Sequence, residues 1–225
     1  LGYKGSIKDE SIFIDAGYYL TFYKDFIGYN IGLDADFDPV TRFPVGGIDA
    51  YRVAANATST VTTQGLSVSL NYYYKKLAYG VNYSYNVLNK KGTDDPIIPA
   101  FNTPKNKFNV SLTGSRIKLP NIKGENFGFG INYKWIEGFV FEGSPQFTGN
   151  VPTYDMVDAQ INYSIPKWNT TFKLGASNIL GIMPLFDGEG DHPRSVFNNA
   201  NFQVYGGPYV GRLAYFSVVT DIKTR

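Results

Sequence analysis

Strict alternation of apolar and small polar residues most constrains what this chain can fold into. Between residues 77 and 87, every odd position is apolar or aromatic, and every even position is Ala, Gly, Asn or Ser. Side chains of a β-strand point to opposite faces with a period of two, so this segment predicts a strand with one apolar and one polar face. Similar alternation recurs at 66–72, 127–135, 157–164 and 172–177. No segment shows comparable helical spacing, and the fold class is therefore predicted to be all-β.

The pattern predicts nine strands separated by connections that alternate in length. The predicted strands span 1–8, 11–27, 49–74, 77–88, 105–116, 126–142, 153–165, 169–180 and 208–222. The third is too long for a straight strand and is predicted to bend near Asn56 to Gln64. Tight turns are predicted at 9–10, 75–76 and 166–168, and a medium loop at 117–125. Long loops rich in Gly, Pro, Asn and Asp are predicted at 28–48, 89–104, 143–152 and 181–207.

Short turns at one end and long loops at the other are typical of an antiparallel transmembrane β-barrel, whose apolar face meets lipid and whose polar face lines a lumen. A soluble β-sandwich also has alternating strands. Three features favour the barrel: aromatic residues concentrate near strand ends, the polar face has few Lys and Glu residues, and many strands exceed the usual length.

Composition excludes several other classes. The chain has no cysteine and one histidine, which excludes disulfide scaffolds, thiol catalysis and multi-histidine zinc sites. A net charge of +2 gives no electrostatic reason for a nucleic-acid partner. A spanning helix needs about 20 consecutive apolar residues, and the sequence has no such run. No signal peptide is predicted at the start of the chain.

The strand count indicates that these residues are part of a larger barrel. Single-chain bacterial barrels have an even number of strands, and an open sheet edge in lipid leaves costly unpaired backbone groups. Nine strands therefore predict the C-terminal portion of a longer barrel. We expect residues 1–225 to form that portion, with the remaining strands supplied by other parts of the protein.

Several segments resemble strands of TonB-dependent outer-membrane receptors, and the aromatic-rich style is similar to that of Bacteroidetes-type receptors. The resemblance is closest in the C-terminal third and covers most of the chain. Its segments are Gly17–Ile27, Asn56–Ala57 with Gly65–Leu70, Tyr154–Tyr163, Leu174–Leu180 and Tyr205–Arg212.

The resemblance implies a 22-stranded barrel in the outer membrane, of which this chain supplies about the last nine strands. It implies a plug domain that a TonB-type protein pulls on, using the proton-motive force, to import an iron chelate, vitamin, peptide or glycan. The partners implied are the lipid bilayer, the plug, the remaining strands and the TonB-type protein, and a surface lipoprotein is an additional expected partner. The plug and the TonB box are expected to lie outside this chain.

Two acidic loops suggest metal binding. Asp34, Asp36 and Asp38 place three carboxylates at alternate positions, and calcium prefers oxygen ligands. Pro39 breaks the match to an EF-hand loop, so a solvated acidic loop is the alternative. The acidic segment 187–192 is a second candidate for calcium binding. Structural calcium is the only cofactor predicted.

Ligand capture is predicted for aromatic and basic residues of the long loops, because such side chains suit ligands of mixed polarity. The predicted residues are Tyr29, Arg42, Phe101, Phe186, His192, Arg194 and Tyr205. Packing of loop against loop is the alternative role. His192 and Ser195 lie in a Gly-rich loop with no strand to fix them, so no hydrolase and no other enzyme is predicted.

Charged residues on the polar face are expected to pair with one another or to meet the plug; they are Asp15, Lys134, Asp158 and Lys173. Two alternative functions remain open from sequence. One is a self-contained barrel of eight or ten strands acting as an adhesin or structural protein. The other is a soluble carbohydrate-binding β-sandwich.

Overall fold

The computed structural model describes residues 1–90, 95–99, 101–122, 124, 126–142, 149–151, 153–182 and 211–221. Within them, one nine-stranded antiparallel sheet dominates, with strand order β1-β2-β5-β6-β7-β8-β11-β12-β13. Its strands are β1 (Gly2–Ile7), β2 (Ile12–Tyr23), β5 (Val61–Tyr74), β6 (Leu77–Lys90), β7 (Asn106–Ile117), β8 (Phe127–Ile136), β11 (Tyr154–Ile165), β12 (Thr170–Ser177) and β13 (Leu213–Thr220). Each of the nine predicted strands contributes one strand to this sheet in the predicted order, but the predicted strands 49–74 and 126–142 are each divided, with β4 (Asp49–Asn56) and β9 (Phe139–Phe141) belonging to separate hairpins.

Two further hairpins extend this sheet on the side of the long connections. The first pairs β3 (Ile27–Asp34) with β4 (Asp49–Asn56), and the second pairs β9 (Phe139–Phe141) with β10 (Gly149–Val151). The predicted bend in the third strand is confirmed, because β4 ends at Asn56 and β5 begins at Val61. The long loops predicted at 28–48 and 143–152 are in part strands, since β3 and β10 lie there.

The register places the two sets of alternating residues on opposite faces. Val81 pairs with Leu70 on one side and Val110 on the other, so these three apolar residues share a face. Asn82 pairs with Ser69 and Asn109 on the opposite face. Val81 and Val110 are 42% and 41% exposed although they lie in the middle of long strands. This apolar face has no covering layer among the described residues, as expected for a face that meets lipid.

Aromatic side chains form two belts at the ends of the apolar face. At the end of the short connections, which we call the lower belt, Tyr72 stacks on Tyr79 with ring centroids 5.9 Å apart. At the end of the long connections, the upper belt, Phe108 stacks on Trp135 at 5.3 Å. Aromatic rings prefer the interfacial region of a bilayer, so the two belts mark the expected membrane boundaries.

The sheet is a wall rather than a closed barrel in the part of the chain that the structure describes. Its edge strands, β1 and β13, each pair with a single neighbour there. A β-sandwich buries a core between two facing sheets, whereas the described core residues form two small clusters beside the hairpins. Among the described residues, no helix is long and apolar enough to cross a membrane.

Candidate functional site

A row of polar side chains crosses six strands of the sheet on its polar face. Register partners at this level are Lys4, Asp15, Ser69, Asn82, Asn109 and Lys134. The Ser69 hydroxyl donates to Oδ1 of Asn82 at 2.6 Å, and Nδ2 of Asn109 donates to Oδ1 of Asn132 at 2.6 Å. A groove of about 470 Å³ runs along the centre of this row. The wall therefore presents a hydrogen-bonded, hydrophilic surface to whatever lies opposite.

Two ion pairs lie on the polar face within the described ranges. Lys4 Nζ is 3.6 Å from a carboxylate oxygen of Asp15, and Lys134 Nζ is 3.3 Å from one of Asp158. The second carboxylate oxygen of Asp158 accepts the backbone N–H of Asn178 at 2.9 Å. The predicted charged residues thus pair in part with one another. Lys173 has no ion-pair partner among the described residues.

Two tyrosines reach across the polar face, each spanning three strands. Tyr19 of β2 lies over Gly65 of β5, and its hydroxyl donates to Oδ1 of Asn86 on β6 at 3.1 Å. Near the opposite edge of the sheet, on the same face, Tyr215 of β13 crosses β12 and its hydroxyl donates to Oε1 of Gln160 on β11 at 3.1 Å. Each tyrosine covers a glycine and couples second-neighbour strands, which stiffens the wall.

The β3–β4 hairpin is anchored by the segment 95–99. Backbone groups of Tyr29 and Ile98 exchange two hydrogen bonds, at 3.0 and 2.8 Å. The Tyr29 side chain is 2% exposed, and the Arg52 guanidinium lies over its ring at 4.1 Å. The structure therefore places this predicted ligand-binding tyrosine inside the outer hairpin, where packing occupies its ring.

Asp95 connects the same segment to the start of β5. Its carboxylate accepts the backbone N–H and hydroxyl of Ser59, at 2.9 and 2.8 Å, and the backbone N–H of Ile97 at 3.0 Å. Ile97 is buried against Ala57 and Val61. Buried carboxylates need such donors, so Asp95 fixes the base of the hairpin. Sequence reasoning missed Asp95, because its partners are distant in the chain.

We expect Gly28→Ala to detach the segment 95–99 from β3. A Cβ at this position would clash with the Ile98 carbonyl oxygen and would lie 2.7 Å from Cγ2 of Ile97. The neighbour in the way is backbone, so the strands must separate. Amide hydrogen exchange on the full-length protein should show lost protection at Tyr29 and Ile98. Gly32→Ala is the matched control, because its nearest neighbour would be 3.8 Å away, and unchanged protection in Gly28→Ala would contradict the prediction.

Asp38 has a defined role in its turn. Its Oδ1 accepts the backbone N–H groups of Val40 and Thr41 at 2.8 and 2.7 Å. These two hydrogen bonds hold the pKa of Asp38 below its ordinary value of 3.8, and the bond from Thr41 has the larger effect. Among the described residues, no group of three acidic or histidine side chains is arranged to hold a metal ion. Calcium at Asp34, Asp36 and Asp38 therefore stays a prediction from sequence.

The lowered pKa of Asp38 predicts how the turn responds to acid. A carboxylate whose pKa is lowered by folding stabilises the folded turn above the ordinary value and loses this effect as pH falls through the lowered pKa. Amide protection at Val40 and Thr41 should thus persist at pH 5 and disappear in stronger acid. Asp38→Ala should abolish it at every pH, and Asp36→Asn should leave it unchanged. Protection in Asp38→Ala equal to wild type would refute this role.

The remaining predicted ligand residues are placed as follows. Arg42 is exposed, at a left-handed position in the hairpin tip. Phe101 lines a cleft of about 270 Å³ with Lys105 and Glu142, and Asn102 exchanges two hydrogen bonds with the Glu142 backbone at 3.1 and 2.7 Å beside it. Phe186, His192, Arg194 and Tyr205 lie outside the described residues. Arg42 is not brought into the Phe101 cleft.

Comparison with known proteins defines the class of the molecule. The family model "TonB dependent receptor-like, beta-barrel" matches residues 1–179. This chain therefore belongs to the TonB-dependent receptor β-barrel family, as the sequence resemblance predicted. Members of this family are outer-membrane transporters rather than enzymes. The β-sandwich alternative is thereby wrong. No curated protein matches the chain.

Solved structures of the same class share the fold. The FrpB iron transporter of Neisseria meningitidis (F5-1 variant) superposes with a TM-score of 0.58 at 15% identity, covering 96% of this chain and 30% of that one. The copper transporter OprC gives 0.55 at 13% identity, with 80% and 24% covered. The ferripyoverdine receptor of Pseudomonas aeruginosa gives 0.52 at 10%, with 80% and 22% covered. The chain spans less than a third of the length of these structures.

Proposed function

We propose that this chain forms part of the wall and outer mouth of a TonB-dependent importer in an outer membrane. The observation that carries the proposal is the division of one nine-stranded sheet into an uncovered apolar face and a hydrogen-bonded polar face. An importer of this class needs both, because one face meets lipid and the other meets a plug and a passing ligand. The chain itself performs no covalent chemistry in this role.

The domain arrangement is part of the proposal. Residues 1–225 form about the last nine strands of a 22-stranded barrel, and the remaining strands pair with the open edges of β1 and β13. A plug lies against the polar face. Lys173, which has no acidic partner among the described residues, supports this arrangement because a plug carboxylate would neutralise it. Energisation by a TonB-type protein acts through the plug.

The cargo belongs to the classes that the sequence resemblance implies: an iron chelate, a vitamin, a peptide or a glycan. Phe101 and Arg42 of the outer loops are proposed to touch it. The hairpin built on Tyr29 and Asp95 supports this role, because it extends the wall beyond the upper aromatic belt. The match to a family of outer-membrane transporters argues against the adhesin alternative.

Uptake by cells that carry the full-length protein tests the proposal. Labelled ferric chelates, cobalamin, oligopeptides and oligosaccharides should be offered with and without a protonophore. We expect one class to accumulate only when both the protein and the proton gradient are present. Accumulation that is insensitive to the protonophore would indicate a passive pore and contradict energised import.

A further inference from the structure

Four connections lie at the end of the short turns, three tight turns and the medium β7–β8 loop, and the described residues of each include an exposed cation. Lys8 lies between β1 and β2, Lys75 between β5 and β6, Lys118 between β7 and β8, and Lys167 between β11 and β12. Neighbouring strands are about 5 Å apart, so successive hairpins present a cation roughly every 10 Å along this edge. We call these four lysines the basic rim.

Two lysines of the basic rim lie beside the lower aromatic belt. Lys8 Nζ is 5.9 Å from the centre of the Tyr72 ring, and Lys75 Nζ is 5.2 Å from that of Tyr74. The register places both rings on the apolar face, since Tyr72 pairs with Ile12 and Tyr74 with Leu77. The ammonium groups are thus held at the outer circumference of the wall, at the expected level of lipid headgroups.

The fourth connection has the same character. Trp168 directly follows Lys167 in a short 3-10 turn, and its side chain is 59% exposed. An exposed indole next to a lysine is typical of an interfacial anchor, in which the ring lies among headgroups and the ammonium meets phosphate.

Charge is distributed unequally between the two ends of the sheet. Lys76 and Arg116 add further positive charge at the short connections, where the acidic residues described are Asp9, Glu10 and Asp221. The opposite end also has cations, among them Lys24, Arg42, Arg52, Lys105 and Arg212, but among the described residues they are outnumbered by carboxylates, which include Asp25, Asp34, Asp36, Asp38, Asp49, Glu137 and Glu142. The net charge of the whole chain is only +2, so the basic rim reflects where charges are placed and not a generally basic protein.

We propose that the basic rim binds the phosphate groups of anionic phospholipids in the membrane leaflet on the side of the short connections. The inference rests on the proposed placement of the sheet in an outer membrane. A lipid is favoured over a soluble partner because Lys8 and Lys75 lie against lipid-facing rings rather than over the polar face. Clusters of Lys and Arg beside a membrane attract anionic headgroups.

Lipid retention by the full-length protein tests the inference. The protein is placed in nanodiscs with equal amounts of phosphatidylglycerol and phosphatidylcholine, and the lipids that remain bound are counted by native mass spectrometry. Wild type should retain phosphatidylglycerol preferentially. Lys8→Gln with Lys75→Gln should lower this preference about fivefold for each cation removed, which corresponds to ~1 kcal/mol per cation. The Lys→Arg pair at the same positions should keep it.

A matched control lies at the opposite end, where Lys105 Nζ is 5.7 Å from the Tyr85 ring. Lys24→Gln with Lys105→Gln should leave the preference unchanged, because nearby carboxylates repel anionic lipids there. Equal loss in both double variants, no preference in wild type, or displacement of the lipid by inorganic phosphate would overturn the inference. The inference would also be overturned if the lysines of the basic rim were protected from chemical labelling only when a TonB-type periplasmic domain is added. Failure to enter nanodiscs at all would instead contradict the proposed membrane placement.

Discussion

Val110→Lys is expected to lower the free energy of unfolding of the full-length protein in bilayers by ~2–4 kcal/mol. Val110 is 41% exposed on the apolar face, midway between Phe108 of the upper belt and Leu112, which pairs with Tyr79 of the lower belt. A lysine there must place its ammonium in hydrocarbon or reach for a distant interface. Guanidinium titration of the protein in lipid vesicles measures the effect.

Asn109→Lys is the control one residue away. Asn109 lies on the polar face, so its replacement should cost the hydrogen bond to Asn132 and the repulsion from its register partner Lys134, together ~1–2 kcal/mol. Equal destabilisation by the two variants would mean that the faces do not differ in environment. A larger effect at Asn109 would mean that the faces are assigned the wrong way round.

Gly65→Ala is expected to destabilise the protein by ~1–3 kcal/mol, through overpacking on the polar face. A Cβ on Gly65 would clash with the Tyr19 ring and would lie 2.7 Å from the Tyr85 carbonyl oxygen. Tyr19 must move, which breaks its hydrogen bond to Asn86, and the backbone of β6 cannot yield without disturbing the ladder. The same unfolding titration measures the loss.

Gly130→Ala provides the comparison for Gly65→Ala. Gly130 also lies on the polar face of a long strand, but its Cβ would meet Gln160 and Thr113 at ordinary distances of 3.5 and 3.6 Å. Replacing such a glycine restricts the unfolded chain, so Gly130→Ala should be neutral or stabilising by up to ~1 kcal/mol. Equal losses in the two variants would exclude the Tyr19 contact as the cause.

Much of the fold could be predicted because alternate residues of each strand face different environments, and their polarity differs accordingly. The nine strands, the bend after Asn56 and the assignment of faces all follow from this period. The β3 strand was missed although Ile27, Tyr29, Ile31 and Leu33 alternate with small and polar residues. Only three residues separate the alternating pattern of β3 from that of β2. The predicted strand 49–74 also joins its partner β4 to β5, so no local signal indicates a separate hairpin.

The candidate site could be predicted less well, because packing in the outer loops depends on contacts between distant segments. Tyr29 was predicted to face a ligand, yet Arg52 and the segment 95–99 cover it. Asp95 carries no distinguishing pattern of its own, and its importance comes from Ser59, 36 residues away. Pairing of Lys134 with Asp158 is likewise set by the register of β8 and β11, which the sequence alone does not fix.

Spin labels along β6 would test the central claim most directly. Single cysteines placed at each residue from 77 to 88 of the full-length protein in bilayers would carry the label, and collision rates with oxygen and with a water-soluble nickel complex would be measured. The account predicts a period of two: odd positions contact oxygen in lipid, and even positions contact the nickel complex or are shielded by the plug. A profile without this alternation, or with high nickel access at Val81 and high oxygen access at Asn82, would contradict it.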